Sequence, residues 1–165
     1  MHFPPIFVFL DFDGVTHPWG EVEDFRCLPL IERVLRQFDE TRVVITSDWR
    51  TLFSERKLAA RFSADLRARV VGATPHIVPR TGGELHGLRE REARQWLVQN
   101  GHEGARWLAV DDAPGNWLSR SRLVLTDFKR GFTEEDAAAM GRLVERLRAG
   151  TQGLEEHPLR TVLWA

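Results

Sequence analysis

Six polar side chains come directly after short apolar runs of the sequence, and their types are those that bind metal ions and phosphate groups. They are Asp11 and Asp13 after "IFVFL", Thr46 and Ser47 after "TRVVI", and Asp111 and Asp112 at the end of "RWLAVDD". Carboxylates brought close together repel one another unless a cation lies among them, and all-oxygen ligand sets suit a hard ion such as Mg²⁺. The pattern therefore indicates a metal site, provided that the fold gathers the ends of these runs.

Each of these residues also has an ordinary structural interpretation. Asp and Gly are frequent in turns, so Asp-x-Asp-Gly after a strand is only moderately specific, and "DDAPGN" fits an acidic turn in which Asp or Asn caps a helix. The shared position of all six residues after strand-like runs favours a common site over unrelated turns.

The runs alternate with segments of helical periodicity. The runs "IFVFLDF", "TRVVITS", "RWLAVDD" and "SRLVLTD" are typical of buried parallel strands. Helical spacing occurs in "LPLIERVLRQF", "TLFSERKLAARF", "LREREARQWLVQNG" and "TEEDAAAMGRLVERLRAG". This alternation predicts an α/β domain of three layers over residues 1–150, with a mostly parallel central sheet. Ligands bind at the carboxyl ends of the strands in such sheets, where the six polar residues are expected.

Two segments are less regular. Residues 70–87 are rich in Gly and Pro and predict a loop near the site, with one short strand at Val70 or at residues 76–78. The C-terminal segment 151–165 turns from polar to apolar, and its pattern places it in no element.

Composition limits the classes of function. A chain of 165 residues suits one domain, and 23 basic against 24 acidic residues give a net charge of −1, so any affinity for phosphate must be local. The single cysteine, Cys27, excludes an intramolecular disulfide and suits a reducing cytoplasm. The N-terminal run lacks the basic leader of a signal peptide, and no segment approaches the roughly 20 apolar residues of a membrane span. We expect a soluble, cytoplasmic protein.

The motifs "LDFDGV", "VVITS", a basic residue in "GLREREARQWL", and "AVDD" resemble those of the haloacid dehalogenase (HAD) superfamily of phosphohydrolases, from Phe7 to about Asp127. More narrowly, the chain resembles the small HAD domains of multidomain RNA-repair proteins. The resemblance implies a Rossmann-like α/β/α HAD fold. The gaps between the motifs are too short for a substantial cap domain.

The resemblance also implies roles for the six residues. Asp11 would be the nucleophile that forms an aspartyl-phosphate, and Asp13 the general acid and then the general base. Mg²⁺ would be held by Asp11, the backbone carbonyl of Asp13, and Asp112 or Asp111, with Asp112 favoured. Thr46 would donate a hydrogen bond to a phosphoryl oxygen, with Ser47 as the alternative.

The family also places a basic residue at the start of the helix before the acidic strand, where it neutralises the phosphoryl group. Arg89 fits this position best, and Arg91 and Arg80 compete with it. The segment contains no lysine, so an arginine must serve.

An uncapped site is open, which favours a macromolecular or extended substrate such as an RNA or DNA end carrying a phosphate. Trp19, Trp49 and Trp117 are expected at the rim, where Trp19 or Trp49 would stack on a base. For His17 we prefer a structural role in the turn to leaving-group assistance. Two alternatives to a phosphatase remain: a phospho-accepting domain like a bacterial receiver, and a non-catalytic binding module with the same fold.

Overall fold

A parallel β-sheet forms the centre of the computed structural model, which describes residues 3–21 and 24–150. Within these ranges the sheet has five strands: β1 (Ile6–Leu10), β2 (Thr41–Ile45), β3 (Val70–Ala73), β4 (Arg106–Asp111) and β5 (Leu123–Leu125). Their order is β3-β2-β1-β4-β5, and every neighbouring pair is parallel. The predicted α/β fold with a central parallel sheet is therefore confirmed. The segment 151–165 lies outside the described residues.

Four α-helices connect and cover the strands in the described part of the chain: α1 (Leu28–Gln37), α2 (Glu55–Ala59), α3 (Leu88–Gln99) and α4 (Glu134–Ala149). Helix α4 begins with a capping box between Thr133 and Asp136, and it is followed by Gly150, whose backbone is left-handed.

The helix predicted from Thr51 is wrong in extent. Residues Asp48–Thr51 form a 3₁₀ turn instead, and α2 begins only at Glu55. Ser54 has an extended backbone and its hydroxyl accepts a hydrogen bond from the Lys57 N–H at 3.3 Å, so the helix starts anew at this cap.

The central strand β1 is buried on both faces, which explains why its sequence is apolar throughout. Ile6, Val8 and Leu10 belong to a core cluster with residues of α1 and α4, while Phe7 and Phe9 pack on the opposite face with Trp96 of α3. The helices thus form the two outer layers.

The strand order changes direction at β1, because β2 and β3 lie on one side of it and β4 and β5 on the other. Hydrogen bonding continues for one residue beyond the strands: the Asp11 N–H donates to the Val110 carbonyl at 3.1 Å, and the Thr46 N–H donates to the Leu10 carbonyl at 2.9 Å. The residues that follow β1, β2 and β4 are therefore side by side at the edge where doubly wound sheets bind ligands.

The Gly- and Pro-rich segment 70–87 is confirmed as mainly loop. The short strand is β3 at Val70–Ala73, and residues 76–78 have no strand structure. Among the described residues, none of the helices combines the length and apolar character that crossing a membrane requires.

Candidate active site

Three carboxylates meet at the carboxyl ends of β1 and β4. One oxygen from each of Asp11, Asp111 and Asp112 lies within 4.8 Å of the other two. Asp111 is buried, whereas Asp11 and Asp112 are partly exposed to the crevice. An all-carboxylate donor set of this kind fits a hard divalent cation.

Asp111 is held rigidly by neighbours in its own loop. Its carboxylate accepts hydrogen bonds from the Ala113 N–H at 2.8 Å and from the indole Nε1–H of Trp117 at 2.9 Å. Trp117 is completely buried and packs against Phe9 and Trp107, so its predicted position at the rim is wrong. The indole is needed inside because the buried Asp111 carboxylate requires a donor.

Crowding of these acids opposes their ionisation. Burial, together with the charge of Asp111, raises the pKa of Asp11 well above its ordinary value, although Arg89 partly offsets the effect. Burial and the neighbouring Asp111 raise the pKa of Asp112 to about 6. A bound cation would relieve this repulsion, so the electrostatics agree with the donor set in favouring a metal.

Gly14 lets the chain pass close to the acidic group. Its φ is +75°, and a Cβ at this position would overlap the Asp112 carboxylate. The Gly14 carbonyl accepts a hydrogen bond from the Thr126 hydroxyl at 2.8 Å, which fixes the turn after β1 to the segment after β5. Glycine is therefore required here both for its left-handed backbone and for its lack of a side chain.

The Asp13 carboxylate is not a member of the three-carboxylate group and has partners of its own. His17 Nε2 lies 3.0 Å from Oδ1, and the indole Nε1–H of Trp49 donates to Oδ2 at 2.9 Å. The sequence predicts a structural role for His17 in the turn, but it does not predict this contact with Asp13. Trp49 is likewise turned inward on Asp13, whereas Trp19 has 67% of its surface exposed.

Thr46 and Ser47 are both buried, but their hydroxyls differ in environment. The Ser47 hydroxyl accepts a hydrogen bond from the Trp49 N–H at 3.3 Å and caps the 3₁₀ turn. Within the described part of the chain, the Thr46 Oγ1 has no hydrogen-bond partner. A buried hydroxyl without a partner is costly, and a phosphoryl oxygen in the crevice is the kind of acceptor that would satisfy it.

Arg89 lies in the first turn of α3, where a positive charge is disfavoured by the helix dipole. Two carboxylates compensate: Nη1 donates to Glu92 at 2.9 Å and Nη2 donates to Asp48 at 2.7 Å. Together they raise the pKa of Arg89, despite its burial, so it remains cationic. Its charge in turn lowers the pKa of Asp11.

Of the two competing arginines, one is engaged elsewhere and the other is exposed. The Arg91 guanidinium donates to the backbone carbonyls of Glu84 and His86, and Arg80 is exposed on the loop before α3. Of the three arginines, Arg89 is the one whose charge lowers the pKa of Asp11.

Sequence reasoning missed two buried charges that support the site. Arg50, whose side chain is 3% exposed, donates to the carbonyls of Thr46 and Ser47 at 2.7 and 2.9 Å and to Glu92 at 2.8 Å. Glu92 is completely buried and binds both Arg50 and Arg89. The "DWR" after the second motif was the available signal, because an arginine so close to a buried strand end often binds backbone carbonyls.

Comparison with known proteins identifies the family of the chain. A family model described as the HAD domain in Swiss Army Knife RNA repair proteins matches residues 7–137, a range that includes all the residues above. No curated protein and no solved structure gave a match. The family comprises mainly hydrolases and phosphatases, and the sheet order and acidic group fit its fold. The chain therefore belongs to the HAD superfamily, in the family of HAD domains found in Swiss Army Knife RNA repair proteins.

Proposed function

We propose that this domain is a Mg²⁺-dependent phosphomonoesterase that acts through a phosphorylated Asp11, with nucleic-acid ends as its substrates. The observation that carries the proposal is the convergence of Asp11, Asp111 and Asp112 within 4.8 Å at the carboxyl edge of the sheet. Arg89 and the unpartnered Thr46 hydroxyl supply the cation and the donor that a phosphoryl group needs.

In the proposed reaction, an oxygen of Asp11 forms a bond to phosphorus as the bond to the leaving oxygen breaks. Asp13 gives its proton to that oxygen, and the alcohol departs. Water then attacks the phosphorus of the aspartyl-phosphate while Asp13 takes a proton from it. Inorganic phosphate leaves and Asp11 returns to its carboxylate form, so the net reaction consumes one water.

The metal would be held by Asp11, Asp112 and the backbone carbonyl of Asp13, with Asp111 behind them. When bound, Mg²⁺ supplies positive charge between the nucleophile and the phosphoryl oxygens. Each oxygen of Asp111 already accepts a hydrogen bond, one from the Ala113 N–H and one from the Trp117 indole, which supports Asp112 as the direct ligand of the two.

The test is release of inorganic phosphate from p-nitrophenyl phosphate by the purified protein, with Mg²⁺ and with EDTA. Repeated turnover with Mg²⁺ and none with EDTA is the expected result. A receiver-like domain would stop at one phosphoryl group per protein, and a binding module would release no phosphate. Either outcome contradicts the proposal.

Metal binding should depend on pH through Asp112. Because the folded state raises the pKa of Asp112 from its ordinary 3.8 to about 6, it binds this proton more tightly than the unfolded chain does. The metal-free fold thus loses stability as pH rises between these values, and Mg²⁺ must displace the proton below about pH 6. We expect Mg²⁺ to raise the Tm more at pH 7.5 than at pH 5.

The matched variant is Asp112→Asn, measured by thermal unfolding at both pH values. Without metal its Tm at pH 7.5 should exceed that of the wild type, because a repelling charge is gone, and Mg²⁺ should no longer raise it. An equal Mg²⁺-induced increase in the variant would show that Asp112 is not a ligand.

A polymeric substrate is supported by exposed aromatic residues in the segments that follow β1 and β5. Trp19 is 67% exposed and Phe128 is 47% exposed, and the Trp19 N–H donates to the Phe128 carbonyl at 2.8 Å. Lys129 places its ammonium 5.7 Å from the centre of the Phe128 ring. Exposed aromatic rings beside a cation are suited to bases and their phosphates.

Trp19→Ala should therefore weaken recognition of an oligonucleotide carrying a terminal phosphate. Stacking on one base is worth about 1–3 kcal/mol, so kcat/KM for the oligonucleotide, relative to p-nitrophenyl phosphate, should fall about tenfold. Val98→Ala removes an exposed apolar side chain near the far end of α3 and is the control. Equal ratios in all three proteins, or a preference of the wild type for small sugar phosphates, would contradict a nucleic-acid substrate.

A further inference from the structure

Two side chains from different segments hold the carboxyl group of Asp13. His17 Nε2 contacts Oδ1 at 3.0 Å, and Trp49 Nε1–H donates to Oδ2 at 2.9 Å. The Asp13 side chain is 40% exposed, so one side of it still faces the crevice. An aspartate this exposed normally samples several rotamers, whereas here both oxygens are fixed.

The orientation of His17 is determined by a buried chain of hydrogen bonds. His17 and Thr16 are both completely buried, and the imidazole Nδ1 lies 3.0 Å from the Thr16 hydroxyl. That hydroxyl donates its only proton to the Phe12 carbonyl at 3.1 Å, so Nδ1 must be the donor toward Thr16. The ring is therefore locked with Nε2 directed at Asp13.

Trp49 is fixed by packing instead. Its ring makes edge contacts with Phe12 and Phe25 at centroid distances of 5.8 and 5.4 Å, and the Arg61 guanidinium lies 5.5 Å from its centre. The indole is thus held with its single donor on Asp13, although Trp49 follows β2 and Asp13 follows β1. A phenyl ring would fill similar space but has no N–H, so the hydrogen bond to Asp13 is the contact that requires an indole.

We propose that His17 and Trp49 are positioning residues that hold the Asp13 carboxyl in line with the leaving-group oxygen. The inference rests on the proposed phosphatase function, in which Asp13 protonates that oxygen. Small misplacements of a catalytic group lower the reaction rate strongly. The loss of rate should be greatest for substrates whose leaving group must be protonated as it departs. Leaving groups that are weak bases need no proton, whereas alkoxides do.

The test compares two substrates of similar shape, p-nitrophenyl phosphate and p-nitrobenzyl phosphate, by release of inorganic phosphate. The first leaves as a stabilised phenolate and the second as an alkoxide. In Trp49→Phe and His17→Leu, the ratio of kcat/KM for the benzyl ester to that for the phenyl ester should fall between about tenfold and a hundredfold. His17→Gln places at the position of Nε2 an amide group that can donate a hydrogen bond to Asp13 or accept one from it, and it should restore most of the ratio.

The outcomes distinguish a failure of the proposed phosphatase function from a failure of the positioning role. An inactive wild type overturns the proposed function and this inference with it. An active wild type whose variants lose both activities in equal proportion overturns the inference alone, since a merely structural role lowers both. If His17→Leu does not fold by circular dichroism, Trp49→Phe carries the same comparison.

Discussion

Asp11→Asn is expected to lower Mg²⁺-dependent phosphate release by at least about 10⁴-fold, because removal of a nucleophile eliminates the covalent route entirely. Asn has the same shape as Asp but cannot carry the charge that attacks phosphorus. The measurement is kcat on p-nitrophenyl phosphate at saturating substrate, with the wild type purified in parallel.

The same substitution should leave the fold intact and make it more stable without metal. Burial and the Asp111 charge raise the pKa of Asp11 well above its ordinary value, so keeping Asp11 ionised at neutral pH costs free energy of folding. An amide removes that cost, and the Tm of metal-free Asp11→Asn should equal or exceed that of the wild type. Loss of activity with retained or increased stability is typical of a residue selected for chemistry.

Asp65→Asn is a matched control, because Asp65 is an exposed partner of Arg36 at 2.8 Å, away from the acidic group. It makes the same chemical change and should alter neither activity nor the response to Mg²⁺. Equal hydrolysis by the wild type and Asp11→Asn would show that Asp11 is not the nucleophile.

The strands and the long helices could be predicted because their signals are local. Alternation of apolar runs with helical segments is present in the sequence itself, and the capping residues of α4 around Thr133 are adjacent along the chain. The convergence of Asp11 with Asp111 and Asp112 followed from one general rule, that parallel strands present their carboxyl ends at the same edge. These parts needed no knowledge of distant contacts.

The errors occurred where a side chain is fixed by a hydrogen-bond partner that the periodicity of its own segment does not reveal. Trp117 was expected at the rim, but the buried Asp111 carboxylate draws its indole inward. Trp49 was also expected at the rim, yet its indole donates to Asp13, 36 residues earlier in the chain. The periodicity around Trp49 contains no such information, because its partner follows a different strand.

Glu92 is the strongest case of such a hidden contact, and its replacement should have a large effect on stability. Oε2 accepts hydrogen bonds from Arg50 at 2.8 Å and from Arg89 at 2.9 Å, and Oε1 accepts one from the Ile77 N–H at 2.9 Å. The carboxylate therefore joins the loop after β2, the loop after β3 and the first turn of α3.

Glu92→Leu should lower the free energy of unfolding by about 3–5 kcal/mol, the cost of leaving a buried charge without its partner. Arg50 is nearly completely buried and is already disfavoured as a cation, since burial and the nearby Arg89 lower its pKa. Urea unfolding at pH 7 measures the change. Glu92→Gln keeps the acceptor but not the charge, so its free energy of unfolding should lie between those of the wild type and Glu92→Leu. A loss below about 1 kcal/mol would mean that Arg50 finds compensation elsewhere.

Because Arg50 holds the Thr46 and Ser47 carbonyls, a destabilised Glu92→Leu should also bind phosphate less tightly, which connects the buried ion pair to the site.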